Sequence, residues 1–133
     1  MRKIIDAEGA VIGRLSSYAA KNALRGNEII IVNSEKAVIT GNKKNIIERY
    51  KNLIKKGGHS LKGPKISKIP FKLLKRIIRG MLPDFRKGIG KEAFKKIRCY
   101  NGVPKEFENT EKIKIESRNP VKFITLGELS ERL

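Results

Sequence analysis

The stretch Glu28-Ile29-Ile30-Ile31-Val32-Asn33 constrains this chain more than any other. Consecutive β-branched residues favour extended backbone over helix. A continuous apolar run has no wet face, so the strand it forms must be covered on both sides. Parallel strands joined by covering helices meet that demand, which makes α/β the expected class. The preceding sequence supplies the rest of a unit. Residues 3–6 read as a short strand. Val11–Arg25 reads as a helix, with Ile12, Leu15, Tyr18, Ala19 and Ala23 at helical spacing and Gly26 as its stop. Strand, helix and buried strand make a parallel, right-handed βαβ unit.

Downstream, Gly41–Gly58 contains a second amphipathic helix, with Ile46, Ile47, Tyr50, Leu53 and Ile54 as its stripe and Gly57 as its end. Lys55–Pro70 holds three glycines, two prolines and five lysines and reads as a long basic loop; loops of that length are commonly functional. Pro70 suits the first turn of a helix over Phe71–Leu82, ended by Pro83. Phe71, Leu74, Ile78 and Met81 share one side of it; Lys72, Lys75, Arg76 and Arg79 share the other. A short basic helix over Gly90–Ile97 leads into a strand at Ile97–Tyr100. Residues 111–116 alternate as a half-exposed edge strand does, and residues 121–125 form a last strand candidate. Thr125 with Glu128 is a capping box for a C-terminal helix. The order of elements predicts a three-layer α/β/α sandwich with a mainly parallel sheet of about four strands. It carries a long basic loop-helix insertion, and the whole is one domain over 1–133.

Charge says where a partner binds. The chain has 31 Lys and Arg against 13 Asp and Glu, a net +18. Residues 1–40 carry 6 basic and 4 acidic side chains, residues 41–100 carry 19 and 3, and residues 101–133 carry 6 and 6. The excess therefore sits in the middle, and an excess of that size points to a polyanion, nucleic acid first and an acidic membrane surface second. Phe85, Tyr100 and Phe107 are the nearby aromatics and lack the spacing of a base-stacking platform. Shape and phosphate recognition is expected.

Other chemistry finds little support. Cys99 and His59 are the single cysteine and single histidine, so neither a disulfide framework nor a metal cluster is expected, and Cys99 reads as a buried strand residue. The N-terminal stretch lacks the apolar run of a signal peptide, and a cytoplasmic location is expected. Gly9 and Gly13 follow the first strand as phosphate-binding glycines do, but their G-x-x-x-G spacing meets neither the dinucleotide fingerprint nor the P-loop. The expectation is that Gly9 turns the chain and Gly13 lets the helix pack closely on the sheet. Gly80, inside a helix, likewise suggests a close neighbour. Asp6 and Glu8 read as turn and cap residues. No cofactor, metal, membrane or small-molecule substrate is expected. Two alternatives stay open: a small nucleotide-binding enzyme using the Gly9 turn, and a DNA-architectural protein.

Specific residues carry a resemblance. Arg79-Gly80-Met81-Leu82-Pro83 and Tyr100-Asn101-Gly102-Val103-Pro104 resemble the ribosomal protein L13 family of the large subunit, as do residues 6–17, 31–42, 62–64 and 125–129, in the same order. The resemblance is to the archaeal type. It implies a non-enzymatic structural protein of the large ribosomal subunit, bound to its rRNA beside neighbouring ribosomal proteins and supporting assembly. It also implies a four-stranded α/β/α fold whose basic loop and 79–83 segment face RNA. Asp84-Phe85 departs from the pattern and is left out of the expected contacts. Charge, helix face and resemblance together select Lys55, Lys56, His59, Lys62, Lys65 and Lys68 in the loop and Lys72, Arg76 and Arg79 on the helix. Arg86, Lys87, Lys91, Lys95 and Lys96 follow, with Gly80 and Gly88 allowing backbone approach. Lysines act there as point charges, and arginines can fork onto phosphate or a guanine edge. Met81 and Leu82 are expected to anchor the segment to the core.

Overall fold

A computed structural model of the chain describes residues 1–56, 67–115 and 120–133. The Ile29–Val32 run forms the middle of strand β2 (Glu28–Val32), which pairs in parallel with β1 (Arg2–Asp6) on one side. On its other side lies β4 (Ile97–Cys99), also parallel, and β5 (Ile113–Lys114) pairs in parallel with the far edge of β1. The sheet order is β4-β2-β1-β5. The expected parallel four-stranded α/β sheet is present.

Alternation sorts the isoleucines to two faces. Ile5, Ile29, Ile31, Ile97 and Cys99 join one cluster with side chains of α1 (Ile12–Leu24), α3 (Pro70–Gly80), α4 (Gly88–Lys95) and α5 (Leu126–Arg132). Ile4, Ile30 and Val32 point the other way onto Phe107, Tyr100 and Val103, carried by residues 100–107 and their 3-10 turn at Lys105–Phe107. The two layers over the sheet are thus unequal: helices on one side, a short irregular segment on the other. Both exclude water, which is why the run needs no polar alternation.

The remaining strands do not join that sheet. β3 (Val38–Thr40) and β6 (Phe123–Thr125) form a separate antiparallel pair, with Ile39 opposite Ile124. The candidate strand at 121–125 is therefore present but serves another sheet, and its partner β3 was too short to show a period. α2 (Lys43–Lys55) is capped by Asn42, whose side chain accepts from the Lys44 N–H; its expected stop at Gly57 lies outside the described residues, as does most of the Lys55–Pro70 loop. Thr125 Oγ1 accepts from the Glu128 N–H at 3.2 Å, which is half of a capping box. Glu128 itself turns to Lys43 and Arg132 instead, at 3.3 and 3.5 Å.

Three local expectations are corrected. α3 ends at Gly80, two residues short of Leu82, and Met81 leaves the apolar stripe to stand 44% exposed; Leu82 alone of the pair packs against the core. Added methyl groups at Gly13 or Gly80 would meet nothing within 4 Å, so neither glycine is required by close packing within the chain. Gly90, unmarked by any local pattern, is: a methyl there would collide with the carbonyl oxygens of Pro83 and Asp84.

Candidate nucleic-acid interface

Helix α3 is fixed by burial of Leu73, Leu74 and Ile78 against α1, β4 and α5. Pinning that side leaves its basic side turned outward. Lys72, Lys75, Arg76 and Arg79 line a groove of about 200 Å³, closed by Ser67 ahead of the helix and by Phe94 of α4. The lining contains no carboxylate among the described residues. Among the described residues the ion pairs engage Arg2, Lys43, Lys114 and Arg132, and none involves a cation of residues 67–100. Asp84 is the nearest acid in sequence, and its Oδ1 accepts from the Arg86 backbone N–H at 3.0 Å.

Aromatic rings seat several of these cations. Lys75 Nζ lies 4.9 Å from the centroid of Phe94, Arg79 Cζ 4.5 Å from that of Phe85, and Arg86 Cζ 5.4 Å from the same ring. Phe85 and Phe94 meet edge to face at 6.0 Å. Cations at these distances are attracted by the ring quadrupole. Lys75 was on the expected helix face but missing from the candidate set, and Phe94 carried no signal of its own. Phe85, set aside in the sequence as a departure, sits among the cations.

The other candidates scatter. Lys55 and Lys56 are exposed at the end of α2, Lys68 is exposed just before α3, and Lys91 and Lys95 are exposed on α4. Arg86, Lys87 and Gly88 form the exposed turn into α4, and Gly88 takes φ +64°. Lys96 is drawn elsewhere: its Nζ reaches the Gly26 carbonyl, at 3.5 Å, just past the C-terminus of α1. His59, Lys62 and Lys65 lie outside the described residues.

The opening glycine turn is spent on the fold. The N–H groups of Ala7, Gly9 and Ala10 donate to the carbonyls of Val32, Lys36 and Ala7, and that of Glu8 to Asp6 Oδ1, all at 3.0–3.1 Å. A phosphate cradle needs free N–H groups, and these four have partners. In open parallel sheets ligands lodge beyond the carboxyl ends of the strands. Here the chain ties the carboxyl ends of β1 and β2 to each other and to residue 102. Asn33 Nδ2 donates to Asp6 Oδ1, Asn33 N–H to the Gly102 carbonyl, and Gly102 N–H to Glu35 Oε2. Cys99 is equally inert: burial pushes its thiol up to about 12, against the pull of the Lys75 charge, so it stays protonated.

Fold and surface together define a basic α/β scaffold with a cationic groove along one side of α3. Comparison with known proteins agrees. Residues 2–106 match the model of the family described as Ribosomal protein L13. The large ribosomal subunit protein uL13 of Methanocaldococcus jannaschii is 48% identical over 133 residues, covering 98% of this chain and 96% of that one. That of Thermoplasma acidophilum is 45% identical, covering 98% and 97%, and that of Archaeoglobus fulgidus 42%, covering 98% and 86%. The chain belongs to the ribosomal protein L13 family, a family of structural proteins of the ribosome and not of enzymes. Among the described residues no helix is long and apolar enough to cross a membrane.

Proposed function

We propose that this chain is a structural constituent of the large ribosomal subunit, in the cytoplasm, that holds large-subunit rRNA through its basic middle region and supports subunit assembly. It acts as one domain over 1–133, with the RNA-facing residues within 41–100 and neighbouring ribosomal proteins as further contacts. The observation that carries the reading is the α3 groove: Lys72, Lys75, Arg76 and Arg79 converge with no carboxylate among them. Such an array is costly unless a polyanion neutralises it. Membership of the L13 family supports the same partner. The Gly9 turn, with its N–H groups already bonded, favours no enzymatic alternative.

The test is binding of an rRNA fragment across a salt series. Affinity should fall with a log–log slope of about 0.7 to 0.9 per neutralised phosphate. Reversing Lys72, Arg76 and Arg79 to Glu should abolish binding while the thermal melt stays cooperative. A flat salt dependence, or duplex DNA competing as well as structured rRNA, would overturn the proposal.

A further inference from the structure

The groove between α3 and α4 holds an ordered array and not merely a density of charge. Three of its neighbouring cations, Lys75, Arg79 and Arg86, rest on two rings, and those rings touch each other edge to face. The rings come from different elements, Phe85 from the turn after α3 and Phe94 from α4. Gly90 lets the turn press onto α4, since any larger residue would overlap the Pro83 and Asp84 carbonyls. The turn, the helix and the three cationic side chains are thus coupled.

Long basic side chains are ordinarily mobile, and fixing them before binding lowers the entropy lost on binding. A ring that already carries a cation is also poorly placed to receive a nucleobase. The groove offers ammonium and guanidinium donors and the Ser67 hydroxyl, with no carboxylate. Such a set suits a ligand made of acceptors, and four converging cations also ask for negative charge; a phosphodiester supplies both, whereas the acceptor-only N7/O6 edge of guanine is neutral. We infer that the Lys72–Lys75–Arg76–Arg79 groove seats a backbone phosphate of the bound RNA, and that Phe85 and Phe94 are positioning residues that preset Lys75, Arg79 and Arg86 rather than platforms for a stacked base. This inference rests on the rRNA-binding reading above.

The salt slope separates the two roles of the rings. The full chain is titrated with the rRNA fragment at several salt concentrations as wild type, Phe94→Leu, Phe94→Tyr, Lys75→Gln and the Phe94→Leu/Lys75→Gln double variant. Phe94→Leu keeps the charge, yet should weaken binding about two- to five-fold, the size of an exposed cation–π contact. It should also lower the slope toward that of Lys75→Gln, because a mispositioned cation no longer neutralises its phosphate. Phe94→Tyr keeps the ring and should match wild type in both. The double variant should be no weaker than Lys75→Gln alone. Loss of affinity at unchanged slope, or additive losses in the double variant, would show a stacked base instead. Phe94→Leu binding as wild type does, with a steep wild-type slope, overturns the inference and leaves the rRNA reading intact. Absence of salt-dependent binding by the wild type overturns that reading itself. Inorganic phosphate titrated into the free protein should not saturate the groove below about 1 mM; saturation there overturns assignment to a polymer backbone.

Discussion

The side-chain amide of Asn33 donates to Oδ1 of Asp6 at 3.0 Å, tying together the carboxyl ends of the two central strands. Burial alone would raise the Asp6 carboxyl. The Asn33 amide, the Glu8 N–H and the charge of Lys114, 3.6 Å away, outweigh it, and the carboxyl lies below its ordinary value of 3.8. A lowered folded value means that ionised Asp6 stabilises the fold at neutral pH. That stabilisation is complete above the ordinary carboxylate value and is lost as pH falls through the lowered one. Asp6→Asn should therefore lower the melting temperature at pH 7 and flatten the acid limb of the stability profile below about pH 4. Asn33→Ala should cost more than Asn33→Gly, because Asn33 sits at φ 57°, where a Cβ adds strain of about 1 kcal/mol. Thermal melts from pH 3 to 8 decide both.

Two glycines on either side of the 81–87 turn should respond oppositely to alanine. Gly80 is helical and open, so Gly80→Ala should stabilise by up to about 1 kcal/mol. If its backbone also approaches RNA, as the sequence leads one to expect, the same variant should bind rRNA more weakly while melting higher. At Gly90 the new methyl would overlap the Pro83 and Asp84 carbonyls. Gly90→Ala must push the turn off α4, at a cost of about 1–3 kcal/mol. Denaturant titration of the pair measures the contrast. Equal effects would mean that the turn adjusts freely.

The buried isoleucine run, the flanking helices and the charge partition were legible because each rests on a local rule that the sheet then obeys: Ile30 and Ile31 need opposite covers, and both have them. The basic side of α3 was legible from spacing alone. What the residues hid was contact across elements. Lys75 and Phe94 are 19 positions apart and meet because α3 and α4 both pack on α1 and β4. β3 has three residues, fewer than a period can reveal, and its ladder forms with residues 123–125 from the far end of the chain. Glycine roles were hidden for the same reason. A sequence shows that Gly90 lacks a side chain, and only the fold shows the two carbonyls that require this.

Glu35 Oε2 accepts the Gly102 N–H at 2.8 Å and so fastens the 100–107 segment, the thin layer over the second face of the sheet, to the loop after β2. A hydrogen bond to a charged acceptor is worth about 1.5–3 kcal/mol. Glu35→Ala should lose most of that, and Glu35→Gln, which keeps an acceptor, should lose less. Hydrogen exchange gives the sharper readout. In Glu35→Ala, protection should fall at Gly102 and Phe107 before it falls at Ile29 or Ile31, since the helix-covered face does not depend on this contact. Uniform loss across the sheet would contradict that separation.

Lys72 and Lys96 carry the same charge but face different neighbours. Lys72 lines the groove, whereas Lys96 Nζ reaches the Gly26 carbonyl beyond the C-terminus of α1, where a cation also meets the negative end of the helix. Substituting each with Gln removes one charge from the chain in either case, so a partner sensing net charge alone would respond equally. A partner gripped in the groove would not. Lys72→Gln should lower the salt slope of rRNA binding by about 0.7 to 0.9 and leave the melt unchanged. Lys96→Gln should leave the slope unchanged and lower stability by about 0.3–1 kcal/mol. The two variants, measured side by side over one salt series and one thermal melt, assign the first lysine to the interface and the second to the scaffold. If Lys96→Gln lowers the slope as much as Lys72→Gln, the RNA-facing surface extends past α4 to the end of α1.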